Sequence, residues 1–333
     1  MAPRPRFLIP LALVPVLALA WFGCGPKSTV PTGPNPIDPV RAYAHVKAMV
    51  EIGPRPSGSA GLYKCRDYIA KELSALRLRP RIDKFQAPLG LPEVPAFFNI
   101  TAVIPGTRTD DNRILVIGSH YDTKRTDHAP PPQPAGFKFV GANDAGSSSG
   151  LLLELARYYK KKPPPVTLHL VWFDGEESIT WDWGDGERAL FGSKRYVEQL
   201  KTTFPKPLWK SVPVMLLLDM VGAKDLHIVE DTLYSSPELV QIFKNVTHAL
   251  GKEKHFFQTK TEVKDDHEPF ANVSIKTLDL IQFRNEDIDT WWHKSGDDLS
   301  MISAESLATV GHVVVTALPL VIDAFYAPIQ PAK

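Results

Sequence analysis

The run from Val166 to Phe173 is short, apolar and rich in β-branched and aromatic residues, the pattern of a buried strand. Asp174-Gly175 breaks it, and two adjacent carboxylates follow, Glu176 and Glu177. Acids at the C-terminal end of a strand lie where open α/β sheets place their ligand sites. Adjacent side chains on extended backbone point opposite ways, so one carboxylate can hold a metal while the other faces a substrate.

Further strand patterns occur at Asn99–Ile104, Ile114–Ser119, Val214–Met220, Leu226–Val229 and Thr277–Ile281. Helical patterns lie between and around them: from near Asp38 to Val50, Ala60–Leu76, Ser147–Lys161, Ala189–Leu200, Pro237–Leu250 and Ala304–Phe325. Strands alternating with helices predict an α/β fold, with a mixed, largely parallel central sheet flanked by helices. No internal repeat or second core is visible, so residues 38–328 read as one domain. Two connections are long, 123–140 and 178–188, and the second carries Trp181 and Trp183. Long loops in compact domains are often functional.

The net charge of +1 and the absence of a basic stripe exclude nucleic acid as a partner. The N-terminus reads differently from the rest. Arg4 and Arg6 precede an apolar stretch, Phe7–Gly23, which predicts an export signal over residues 1–23. Cys24 follows at a position that resembles a bacterial lipoprotein site, so lipid on its sulfur would give the only membrane contact. Residues 24–37, rich in Pro, Ser, Thr and Gly, read as a tether. The only other cysteine is Cys65, expected as a buried small hydrophobe rather than half of a disulfide.

Other polar groups gather at strand ends or in nearby loops: His120 and Asp122, Asn143 and Asp144, Asp219, Asp265-Asp266-His267, and Trp291-Trp292-His293. Singly, each has an ordinary explanation. A strand-end Asp is more often a cap or turn former, and a lone His more often a satisfied core residue. Together, one His and two carboxylates from separate strand ends can hold zinc and leave a fourth position open, the mark of a catalytic site.

The ordered set G-S-H-Y-D-T-K, G-A-N-D-A, F-D-G-E-E, L-F-G-S-K, L-L-L-D-M-V-G-A, D-D-H-E-P-F and W-H resembles the zinc-dependent aminopeptidase family with a co-catalytic dizinc centre. Within it, the set is most similar to the glutaminyl cyclases, over about Pro39 to Tyr326. That resemblance implies one zinc ion held by Asp144, Glu177 and His293. Glu176 would be the general acid/base, Asp219 would hold the substrate's amino end, and Asp265 would stabilise the leaving group. Trp292, Trp181 and His267 would contact the substrate. The substrate would be a peptide or protein N-terminus carrying glutamine, closed to pyroglutamate with loss of ammonia.

Two other readings share the sequence. His120 and Asp219 match the positions that hold a second zinc in the aminopeptidases, with Asp144 bridging, so a dizinc aminopeptidase has all its ligands. An inactive binding module on the same fold is the third reading, although every expected acid and histidine is present. The cyclases of animals have a disulfide near the first strand of the set, which this chain lacks. The stretch from His267 to His293 also looks longer than the family pattern. The oligomeric state is not legible.

Overall fold

The computed structural model describes residues 30–87, 91, 94–183 and 188–327. The predicted export signal and Cys24 therefore lie outside the described residues. The described end of the predicted tether, residues 30–37, has no helix or strand. It is tied down at its end, where Asn35 donates to the Ala308 carbonyl (2.9 Å) and Ile37 is buried.

The chain then runs α1 (Pro39–Ile52), α2 (Ala60–Ala75), β1 (Arg81–Phe85), β2 (Phe97–Ile104), β3 (Ile114–His120), α3 (Ser148–Lys161), β4 (Thr167–Phe173) and α4 (Phe191–Thr203). Next come β5 (Val214–Asp219), β6 (Ile228–Asp231), α5 (Pro237–Ala249), β7 (Phe256–Thr261) and α6 (Glu268–Ala271). Strand β8 (Lys276–Ile281), α7 (Asn285–Thr290) and α8 (Ala304–Phe325) complete the order. Local signals explain several boundaries. Asp38 accepts from the Val40 and Arg41 amides with Pro39 as the first helical residue, and Ser303 caps α8 at the Ser306 amide.

The main sheet has the order β1-β2-β4-β3-β5-β8. The pairs β4–β3, β3–β5 and β5–β8 are parallel, whereas β1 and β2 join antiparallel at one edge. Alternate strand residues face the two sides. Leu115, Ile117, Leu168, Leu170, Leu216 and Leu278 join a large core with α1, α2, α3, α5 and α8. Val116, Val171, Met215 and Leu217 face α4 and α6 in a smaller one. Helix α8 is long and apolar enough to cross a membrane, but it is mostly buried and packs on α1, α3 and α5.

Two strands escaped the sequence pattern. β1 is Arg-Ile-Asp-Lys-Phe and largely exposed at the sheet edge, and β7 is mostly polar beyond its two phenylalanines. β7 pairs with β6 in a separate two-stranded ribbon, so the short strand expected at Leu226–Val229 lies slightly later and outside the main sheet. Gly175 shows why the chain turns where it does after β4. Its φ is +77°, a conformation that favours glycine, and a Cβ there would lie 2.5 Å from the Phe97 ring.

The centre of the sheet carries most of the packing. Leu216→Ala, at a fully buried position on β5, is expected to lower unfolding stability by about 2–5 kcal/mol, read from urea titration of the zinc-loaded protein.

Candidate active site

Register brings the site together. His120 ends β3 opposite Phe173 of β4, and Asp219 ends β5 opposite Ile281 of β8. All four C-terminal ends therefore open on one edge of the sheet, where a cavity of about 240 Å³ is lined by Asp144, Glu176, Glu177, Asp219, Asp265 and His293. Trp183, Phe283 and Trp292 supply aromatic wall. Three larger clefts, of about 670, 810 and 1050 Å³, lie elsewhere and contain none of these groups.

His293 Nε2 lies 3.1 Å from Glu177 Oε1 and 3.4 Å from Asp144 Oδ2. Asp144 Oδ2 and both Glu177 oxygens are buried without a hydrogen-bond partner. Orphaned buried carboxylate oxygens need compensation, and two carboxylates with one imidazole are a donor set that suits zinc. His120 Nε2 lies 3.4 Å from the other Asp144 oxygen and 3.2 Å from Asp219 Oδ1. Asp144 thus stands between two possible ligand groups, both buried.

The backbone around these groups is held by carboxylates that the sequence reading left without a role. Asp122 accepts from the amides of Glu176 (3.3 Å) and Glu177 (3.2 Å), and its Oδ1 is 3.4 Å from His120 Nδ1. Asp297 accepts from the amides of Asn143 (2.6 Å) and Asp144 (3.0 Å). Fully buried Arg55 donates to the carbonyls of Val140 (2.6 Å), Gly141 (2.7 Å) and Tyr121 (3.0 Å), which fixes the chain leading into Asp144. Buried Lys124 is 3.4 Å from Glu177 Oε2. Spacing gave one available signal for the carboxylates: Asp122 follows His120 by two residues, and Asp297 follows His293 by four.

Burial and crowding set the electrostatics. Burial pushes Glu176 well above the usual carboxylate range; His120 opposes this, while Asp265 and Glu177 add to it. Burial also raises Asp219, to about 6, against the pull of His120. Burial resists charging His120, but Glu176 and Asp219 overcome it and hold its pKa well above the ordinary value. Asp144 goes the other way: despite burial, His120 and His293 keep it below the usual range.

A match to the family model of peptidase family M28 covers residues 99–318. The chain belongs to peptidase family M28. It is 27% identical to the glutaminyl-peptide cyclotransferase-like protein of Bos taurus, over 89% of this chain and 79% of that protein. The crystal structure of an Acidobacteriales bacterium glutaminyl cyclase matches with a TM-score of 0.76 and 29% identity, covering 90% of this chain and all of that one. A zinc-dependent exopeptidase from Parabacteroides distasonis shares the fold at a TM-score of 0.72 and 24% identity, covering 87% of this chain and all of that one.

Within this M28 site, the expected residues do not all reach the cavity. Asp265 lines it and Asp266 does not. His267 is also outside the lining: it is fully buried, with Nε2 3.0 Å from Asp231 Oδ2 and Nδ1 3.7 Å from Asp279 Oδ2. Asp231 holds the His267 ring in this buried position, outside the cavity lining. Trp181 packs edge-on against the His293 ring, at 5.9 Å between centroids, while Trp183 takes the lining position. Trp292 stacks on the His293 ring, with 3.8 Å between centroids.

Asp297 touches no candidate substrate position, so its effect should appear in the metal site. Asp297→Ala is expected to weaken zinc binding about 10–100-fold, measured by competition with a chelator, with the circular dichroism of the fold retained.

Proposed function

We propose that this protein is a zinc-dependent glutaminyl-peptide cyclotransferase, converting N-terminal glutamine of peptides to pyroglutamate and ammonia. The observation that carries this is the cavity: about 240 Å³, walled by Trp183, Phe283 and Trp292, with Glu176 beside the Asp144, Glu177 and His293 group. That space suits one glutamine side chain rather than a long stretch of peptide. Two of the named relatives, the Bos taurus cyclotransferase-like protein and the Acidobacteriales glutaminyl cyclase, support the same chemistry.

Zinc held by Asp144, Glu177 and His293 would supply Lewis-acid polarisation of the glutamine γ-carbonyl. Asp219, on the cavity lining, would hold the free α-amino end, and Asp265, also on the lining, would stabilise the leaving group. The α-nitrogen attacks the side-chain amide carbonyl carbon, Cδ, and loses a proton to Glu176. The C–N bond of the side-chain amide breaks, and Glu176 returns the proton to the departing nitrogen, which leaves as ammonia. Nucleophile and electrophile belong to one residue, so much of the rate comes from holding it folded for ring closure. The aromatic wall supports this in a second way. It limits water, whose attack on the same carbon would give glutamate instead of a ring. The basic and apolar order of residues 4–23 supports export, which would bring the enzyme to peptide substrates.

One observation favours a second reading, a dizinc aminopeptidase: His120, Asp144 and Asp219 also come close enough to hold an ion. Metal counting by mass spectrometry, beside assays of a Gln-peptide and a Leu-anilide, separates the two. One zinc with ammonia release supports the cyclase; two zincs with anilide cleavage alone would replace it.

The roles within the carboxylate pair are open to the same kind of test. Glu176→Gln is expected to keep its zinc and lose about 10²–10⁴-fold in turnover, followed by ammonia release from a Gln-peptide. Weak zinc binding in that variant, with Glu177→Gln still holding metal, would reverse the two assignments. A chelator should abolish wild-type activity and added zinc restore it.

A further inference from the structure

Every charged side chain lining the cavity is acidic or an imidazole except one, Lys264. It is exposed and makes no ion pair among the described residues. Its neighbours behave differently: Lys244 and Lys260 both pair with Glu230, at 2.6 and 2.8 Å, and Lys124 is buried against Glu177. The backbone on both sides of Lys264 is pinned. The Val263 amide donates to Asp231 Oδ1 (3.1 Å), and the Asp265 carbonyl accepts from the Glu268 amide (2.8 Å). Val263 and Asp265 are both buried, so the segment presents a free ammonium from a fixed position beside Asp265.

We propose that Lys264 is a specificity residue that favours peptides with an acidic residue immediately after the N-terminal glutamine. This rests on the cyclase reading above. With the glutamine side chain inside and its amino end at Asp219, the rest of the peptide leaves through the cavity mouth, where Lys264 is an exposed lining residue. Five carboxylates line the interior, offset by the zinc they would hold and by His120, so the interior itself offers an acidic second residue no cation of its own. Lys264 supplies one where the second side chain passes. A basic second residue meets the ammonium directly and is disfavoured.

The test compares kcat/KM for peptides beginning Gln-Glu, Gln-Ala and Gln-Lys, in the zinc-loaded wild type and in Lys264→Ala and Lys264→Glu. Zinc content and circular dichroism establish that each variant is folded and loaded. The wild type should prefer Gln-Glu over Gln-Lys by about 1.5- to fivefold, the range of an exposed ion pair. The ratio should fall in Lys264→Ala, invert in Lys264→Glu, and shrink at high salt. The same ratio in all three proteins, or a wild type that prefers Gln-Lys, overturns the proposal. Failure to release ammonia from any of the three peptides instead removes the cyclase reading, and this inference with it.

Discussion

Five carboxylates face one small cavity at the ends of parallel strands, and Asp122, Asp266 and Asp297 are buried close behind them. Charges taken out of water are destabilising unless they are paired or bonded. The fold answers in three ways. Backbone amides donate to Asp122 and Asp297; His120, His293, Lys124 and Arg55 bring buried positive or protonatable groups; and the unpartnered oxygens of Asp144 and Glu177 are left for a cation. Metal binding and folding are therefore coupled here, because a site of this charge has no counterpart in the unfolded chain.

The sheet determines where that charge collects. Parallel pairing of β4, β3, β5 and β8 places their C-terminal ends on one edge, so a residue's position at the end of its strand decides whether it reaches the cavity. Antiparallel β2 and β1 extend the sheet away from the site and contribute core and edge instead. The turn at Gly175 sends Glu176 and Glu177 past the end of β4, and Asp122 catches both amides. One carboxylate thus orients two others without touching the cavity itself.

Much of this was legible in the sequence because the apolar runs of β3, β4 and β5 and the long α8 are governed by local patterning. His120, Asp219 and the Glu176-Glu177 pair stood out because they sit at or just past the ends of those runs, whereas Asp144 lies ahead of α3 and His293 follows α7. What escaped has a different origin. β1 and β7 are held by pairing across the chain, and their exposed polar residues carry no strong period. His267 sits in the same short segment as Asp265, yet Asp231, 36 residues earlier, captures its ring. Trp181 and Trp183 are two residues apart in one loop, and only three-dimensional placement decides which lines the cavity. Arg55 gave no signal at all, since its partners are three backbone carbonyls rather than acids.

The choice between ring closure and peptide cleavage turns on what occupies the space between His120, Asp144 and Asp219. A second metal needs His120 neutral, with the Nε2 lone pair free. The surrounding carboxylates instead favour the protonated ring, whose Nε2 hydrogen is directed at Asp219 and Asp144, the oxygens a second ion would use. A proton on His120 and a second metal ion are thus competing occupants of one ligand set. With the proton in place, Asp219 keeps capacity to receive a substrate amino group. Against the effect of burial, Glu177 and Asp144 raise His293 as well, so the same competition between a proton and a cation operates at both ligand groups.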